Sequence, residues 1–257
     1  MSTLAGRALI GTCGWSYDDW EEVFYPARLA KRDRLAHYAQ SFRTVEIDST
    51  FYAVPRLSTV QGWRQRSPEG FRFSAKFPRE ITHERRLRGG GERAVEFVET
   101  MSELGDKLGP LLIQLPPSMT VRDMGVLEAF FEGLPDGFSY ALEVRHPSWL
   151  VESFATLLKR WKVSMVLSDG PHLPRVWRVT SRVVYIRWLG HWGAFDSYDR
   201  VQRAYHDDLD WWVPRIEHAL GHGATVMGYV NNNYAGYSPA VAQALSRRLA
   251  TDDPSGN

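Results

Sequence analysis

Eight short apolar runs, each separated from the next by a stretch long enough to cross back over the sheet, confine this chain to very few architectures. The runs fall at 8–12, 43–48, 71–76, 111–115, 139–144, 163–168, 183–188 and 225–230. Around them, 33–40, 58–66, 92–104, 121–133, 148–161, 205–220 and 239–249 carry apolar residues at helical spacing. Ser148, and Ser238 followed by Pro239, read as helix starts, where a hydroxyl caps and a proline suits the first turn. Strand then helix, repeated, demands a parallel sheet. Eight such units in 257 residues favour a closed TIM-like (β/α)8 barrel over an open doubly wound sheet. The link 169–182 shows no helical pattern, so the sixth unit is expected to be degraded. No Pro/Gly/Ser-rich linker and no solenoid-length repeat divides the sequence, and 1–257 reads as one domain.

Several of these strands end in charge. In Thr44-Val45-Glu46-Ile47-Asp48, and again around Lys76, Glu143-Val144-Arg145 and Arg187, apolar and ionisable residues alternate. Side chains two apart on a strand share a face. In a closed barrel Val45, Phe73, Leu142, Val144 and Ile186 then pack outward under helices, while Glu46, Asp48, Lys76, Glu143, Arg145 and Arg187 point inward. By the same parity Gln114 and Asn231 join them near the carboxyl ends of their strands, where such barrels place active sites.

The totals exclude several classes of function. Lys plus Arg is 31 against 30 for Asp plus Glu, so any contact with nucleic acid must come from a local basic cluster and not from a global field. A single cysteine, Cys13, excludes an internal disulfide and a zinc site built on several thiolates; it reads as a buried small thiol. Residues 1–7 lack the apolar stretch of a signal peptide and no segment approaches a membrane span, so no membrane association and a cytoplasmic location are expected.

Gly11-Thr12-Cys13-Gly14-Trp15-Ser16-Tyr17, residues 44–52, residues 71–87, Gln114-Leu115-Pro116-Pro117, Glu143-Val144-Arg145-His146-Pro147-Ser148-Trp149 and Asn231-Asn232 together resemble the domain of unknown function 72, also called the YecE-like family. The resemblance spans about residues 9–245, and it implies a TIM-barrel-like fold without implying any one activity. Two positions depart from the family pattern. Asp48 stands where asparagine is usual, and Arg187-Trp188-Leu189-Gly190 stands where Arg-Leu-His-Gly is more common, which removes a rim histidine although His191 lies close by.

Glu46 and Glu143 are the expected acid/base residues, since a buried carboxylate can be shifted to carry a proton at neutral pH; the competing reading locks them in ion pairs with Lys76, Arg145 or Arg187. They stand three strands apart, which argues against the ~5 Å carboxylate spacing of a retaining glycosidase. Lys76 is expected to act on an anion rather than as a Schiff base, because neighbouring carboxylates would hold its ammonium charged. Arg145 and Arg187 offer planar forks for phosphate or carboxylate, with Asp48, Gln114, Asn231 and His146 as further substrate contacts or, for His146 before Pro147, as a capping residue.

Of the aromatics expected at the rim, Tyr52 and Trp188 are the preferred ligand contacts, whereas Trp15 and Trp149 read as packing. The run 79–91, basic and ending in three glycines, reads as a solvated surface loop or as a flap closing over a phosphorylated ligand. A divalent metal on Glu46, Asp48, Glu143, His146 and Asp169 is allowed but not favoured, because three cations share the same mouth and no His-x-x-x-His spacing was found. No cofactor is specified.

These residues point first to a hydrolase or lyase acting on a phosphorylated substrate, most naturally a nucleic-acid phosphodiester, with a phosphorylated small molecule or nucleic acid as partner. A non-catalytic nucleic-acid or small-molecule binder is the alternative, and a sugar or sugar-phosphate isomerase a further one. Oligomeric state is not encoded in any of these signals.

Overall fold

The protein is described by a computed structural model covering residues 7–250. Eight strands, β1 (Ala8–Thr12), β2 (Thr44–Ile47), β3 (Arg72–Lys76), β4 (Leu108–Gln114), β5 (Tyr140–Glu143), β6 (Ser164–Asp169), β7 (Val183–Trp188) and β8 (Thr225–Val230), pair in parallel in the order β1-β8-β7-β6-β5-β4-β3-β2. The helices α1 (Arg34–Ser41), α2 (Leu57–Arg66), α3 (Gly91–Ser102), α4 (Met124–Glu132), α5 (Glu152–Arg160), α6 (His206–Gly221), α7 (Asn232–Ala235) and α8 (Ser238–Ala250) lie along the crossovers. After β6 the chain reaches β7 through 170–182 without a helix, as its sequence pattern implies.

The sheet closes where β1 meets β2. That seam has little ladder of its own: Cys13 bridges to Glu46, and the Gly14 amide donates to the Glu46 carbonyl at 2.8 Å. Elsewhere along the seam a side chain substitutes for a strand partner. The Tyr38 hydroxyl, carried in by α1, receives the Thr12 amide at 3.0 Å and donates to the Thr44 carbonyl at 3.1 Å. Gly11 makes room for this arrangement, because a Cβ there would lie 2.1 Å from the Thr44 carbonyl oxygen.

Strand parity sorts the core into two parts. Val45, Phe73, Leu142, Val144 and Ile186 belong to the large cluster between sheet and helices. Leu9, Leu112, Ala141, Val166, Tyr185, Met227 and Tyr229 form a separate cluster inside the barrel. The interior turns polar toward the carboxyl ends of the strands, where Glu46 pairs in register with Ser74, and Gln114 with Glu143.

Most element boundaries differ from the sequence expectation by one to four residues, and two of the differences have identifiable reasons. β4 begins at Leu108 and not at 111, because the register between β3 and β4 shifts around Ser74 and lets Gly109-Pro110 bulge; the Ser74 hydroxyl donates to the Pro110 carbonyl at 2.6 Å. The helix expected from 148 starts at Glu152, since Pro147–Trp149 forms one 3-10 turn and Val151 is extended.

Candidate active site

Arg187, rising from β7, lies at the centre of the barrel mouth. One end of its guanidinium donates to Glu46 Oε1 at 2.7 Å from Nη2, and the other, Nη1, to Glu143 Oε2. Glu46 Oε2 accepts from the Tyr185 hydroxyl at 2.7 Å, and Glu143 Oε1 accepts from Arg145 Nε at 2.9 Å and Gln114 Nε2 at 3.0 Å. Each of the four carboxylate oxygens therefore has a partner. The two glutamates, three strands apart, flank a single guanidinium that stands between them. Burial alone would raise the Glu143 carboxyl, but Arg187, Arg145 and Lys76 outweigh it and hold the group well below the usual carboxylate range.

Above this network opens a cleft of about 650 Å³, lined among others by Asp48, Phe51, Tyr52, Lys76, Arg79 and His83, by Arg145, His172, His191 and Trp192, and by Gln114, Arg187, Asn231 and Asn233. Four of these residues, Lys76, Arg79, Arg145 and Arg187, are cations. Asp48 is the single carboxyl in the lining. Burial and the nearby Glu46 raise its pKa, and the Tyr17 hydroxyl, 2.6 Å from the Cys13 carbonyl, lies 3.3 Å from Asp48 Oδ2.

Lys76 departs from the sequence expectation. Its side chain is 9% exposed, and its ammonium rests 3.6 Å from the centroid of the Phe51 ring with no hydrogen-bond or ion-pair partner among the described residues. Burial and the Arg187 charge lower its pKa to about 8 despite the opposing pull of Glu143 and Glu46. The carboxylates expected to keep it charged are neutralised by the arginines. His83 packs edge-on against the same Phe51 ring at 5.0 Å; burial, Lys76 and Arg145 lower it to about 4, so it is neutral at physiological pH.

Several expected contacts take other places. Trp188 does not reach the cleft: its neighbour Arg187 faces inward, so the indole faces outward, fully buried and 5.6 Å from the Trp212 ring. His146 caps the turn that follows it, its Nδ1 accepting from the Ser148 amide at 3.2 Å, and it does not line the cleft. Asn231 lines the cleft while its side chain accepts from the Asn233 amide at 2.9 Å, capping α7. Tyr52, 78% exposed, stands at the rim. Trp149 is buried and donates to the Met119 carbonyl at 2.9 Å, and Trp15 packs on Trp63.

Of the further residues that line the cleft, Arg79 and His83 lie in the run read as a surface loop or flap and Trp192 among the aromatics expected at the rim, whereas His172 had no place in the sequence reading. The first two reach the cleft because the basic segment is only partly solvated: Ile81, Thr82 and Leu87 are buried and anchor it, and Glu80–Glu84 forms a π-type turn. Trp192 is carried on a loop whose Gly190 has φ +67 and abuts the Asn233 carbonyl so closely that a Cβ would lie 1.9 Å from it. That loop follows the Arg-Trp-Leu-Gly signature, so its glycine was the available clue.

The oxygen and imidazole set considered for a metal does not converge. Glu46 and Glu143 are held by Arg187, and Asp169 is bound by Arg175 at 2.9 Å, the Trp212 indole at 3.0 Å and the Tyr234 hydroxyl at 2.8 Å. Among the described residues no three His, Cys, Asp or Glu side chains are placed to hold a metal ion. A His-x-x-x-His spacing does occur, contrary to the sequence reading: His218 and His222 lie on and just beyond α6, their ring centroids 4.3 Å apart. The pair sits at the end of α6 that leads into β8, away from the mouth. Cys13 is buried beneath the cleft, its Sγ 3.9 Å from Arg187 Nη2. No helix among the described residues is long and apolar enough to cross a membrane.

The fold and site thus define a parallel α/β barrel with a cationic mouth. The sequence profile of the family described as "Protein of unknown function DUF72" matches residues 9–256, and the chain belongs to that family. It is 34% identical over 143 residues to the UPF0759 protein YecE of Escherichia coli K12, covering 56% of this chain and 50% of the relative. To the UPF0759 protein YunF of Bacillus subtilis it is 28% identical over 156 residues, covering 53% of that protein. The matched segments thus span about half the length of these curated relatives. Among solved structures, a DUF72 family protein from Thermotoga maritima superposes with a TM-score of 0.78 at 26% identity, over 95% of this chain and 99% of that one. A D-psicose 3-epimerase solved in the presence of D-fructose matches with a TM-score of 0.52 at 11% identity, over 95% of this chain and 97% of that one, and shares the fold alone.

Proposed function

We propose that the chain is an enzyme that binds a small phosphorylated molecule at the barrel mouth and performs a lyase or hydrolase reaction on it. A charge imbalance carries this reading. Lys76, Arg79, Arg145 and Arg187 line the cleft with Asp48; Glu46 and Glu143 beneath offset Arg187 and Arg145, so the positive charge without a buried carboxylate of its own is that of Lys76 and of Arg79, whose Nε lies 3.6 Å from the exposed Glu84. An anion entering the cleft would complete the charge balance. The cleft volume of about 650 Å³ falls in the range that suits a small ligand.

In this reading Arg145 and Arg79 grip the phosphate, and Arg187 adds its field from below. The acid/base role moves from Glu46 and Glu143 to Asp48, whose carboxyl is made easier to protonate than an exposed one by burial and by Glu46. Glu46 and Glu143 fix Arg187 and so shape the site. A second reading rests on Tyr52 and Trp192, 78% and 90% exposed beside the same cleft: rings so placed would stack on a base, extending the substrate to a nucleotide or the end of a nucleic-acid strand.

Thermal melts of the full chain with inorganic phosphate, a sugar phosphate and a nucleoside 5′-monophosphate, each beside its unphosphorylated counterpart, test both readings. A ligand at 100 times its dissociation constant stabilises by about 2.7 kcal/mol. Stabilisation by the phosphorylated compounds only, lost in Arg79→Ala with Arg145→Ala, is expected. Equal response to phosphorylated and unphosphorylated compounds, or none to either, refutes the anion reading. A gain confined to the nucleotide selects the second.

A further inference from the structure

Lys76 is used only incompletely by anion binding. An ammonium that serves as a phosphate anchor is normally surrounded by acceptors or by water, yet this one is buried on the face of Phe51 and makes no hydrogen bond or ion pair among the described residues. The carboxylates that would ordinarily hold it charged are turned toward Arg187 and Arg145. Burial without an acceptor makes this ammonium easier to deprotonate than an exposed one. Asp48, a carboxyl unpaired by any arginine or lysine among the described residues, shares the cleft lining with it, as do Arg79 and Arg145.

We infer that Lys76 is a covalent catalyst: its amine forms an imine with the carbonyl carbon of a phosphorylated aldehyde or ketone whose phosphate rests on Arg145 and Arg79. The inference rests on the anion reading above and names the substrate class within it. The neutral Nζ attacks the carbonyl carbon, making a C–N bond and leaving the oxygen as a carbinolamine hydroxyl. Loss of that hydroxyl as water leaves the C=N bond, and both hydrogens of the amine end in the departing water. Asp48 is the group placed to carry them from nitrogen to oxygen. No oxidant, reductant or metal is needed for the balance. A further proton, delivered to the imine nitrogen from the acid form of Asp48, gives the iminium that withdraws electrons from the adjacent carbon, which is the chemistry a lyase of carbonyl compounds requires.

Two features agree with this assignment. The Lys76 pKa of about 8 leaves on the order of 100-fold more free amine at neutral pH than an ordinary lysine has. Phe51 covers one side of the amine with a hydrocarbon face, and the amine lines the cleft that a carbonyl compound would enter.

The test uses the full chain and two probes of the same shape: pyridoxal 5′-phosphate, an aldehyde, and pyridoxine 5′-phosphate, its alcohol. The protein is treated with the aldehyde and borohydride, and the adduct is located by peptide mass mapping; binding of the alcohol is followed by calorimetry. The expected result is reduced adduct on Lys76 at least about 10-fold faster than on Lys31, Lys107, Lys159 or Lys162, suppressed by inorganic phosphate, absent in Lys76→Met, and with a rate that rises through a midpoint near pH 8. If the alcohol binds and phosphate displaces it while Lys76 is labelled no faster than the other lysines, the imine is refuted and the anion site stands. If neither probe binds, both fail.

Discussion

At the scale of single residues, Lys76 costs the fold stability at neutral pH. Its pKa falls from 10.5 to about 8, so below pH 8 the folded chain carries a buried ammonium that the unfolded chain solvates freely, a deficit of about 3 kcal/mol. Between pH 8 and 10.5 the unfolded state binds more protons than the folded one, so stability rises with pH across that window. Lys76→Met should therefore melt higher than the parent at pH 7 and show a flatter pH dependence above 8, measured by denaturant unfolding at several pH values. A destabilised Lys76→Met would mean that the lysine is a structural anchor. Glu143 is its opposite. Glu143→Gln leaves Arg187 and Arg145 facing each other without the charge between them, and should lower stability by about 3–5 kcal/mol. A shift in urea midpoint with unchanged slope is the expected record, and a neutral outcome would show that the network contributes little.

At the scale of elements, the β1–β2 seam is the place where the barrel depends on one side chain. Tyr38→Phe keeps the ring in its stack on Phe42, 4.8 Å between centroids, but removes the hydroxyl that serves the Thr12 amide and the Thr44 carbonyl. Leaving buried polar groups unpaired costs about 1–3 kcal/mol each, so the variant should unfold at markedly lower urea and exchange its Thr12 amide hydrogen faster, as hydrogen exchange would record. Unchanged exchange at Thr12 would show that the tyrosine is not the closure. Strands β1, β7 and β8 were legible to the residue because alternation is a local signal that neighbouring side chains carry by themselves. The start of β4 was not, since the Gly109-Pro110 bulge exists only through Ser74 on the adjacent strand. Trp188 was misplaced because its nearness to the rim was weighed above the parity that Arg187 imposes.

At the scale of the whole molecule, a chain of net charge +1 gathers four of its 31 lysines and arginines around one hollow. The convergence of Glu46, Lys76, Gln114, Glu143, Arg145 and Arg187 was readable, since barrel closure gathers the carboxyl ends of all strands at one pole. How they pair was not. Whether a carboxylate serves a lysine or an arginine depends on cross-barrel distances that no single strand records, and the same holds for Arg79 and His83, which a turn anchored by Ile81 and Leu87 aims inward.

Of the ten tryptophans, Trp192 alone is fully exposed, at the edge of that hollow, while the other nine are buried or half-buried. The molecule thus carries an optical gauge of its own mouth. Iodide, drawn by the surrounding guanidinium groups, should extinguish this emission more efficiently than caesium, and saturating inorganic phosphate should erase the difference between the two quenchers. Equal quenching by both ions, with or without phosphate, would mean that the indole senses no local positive potential.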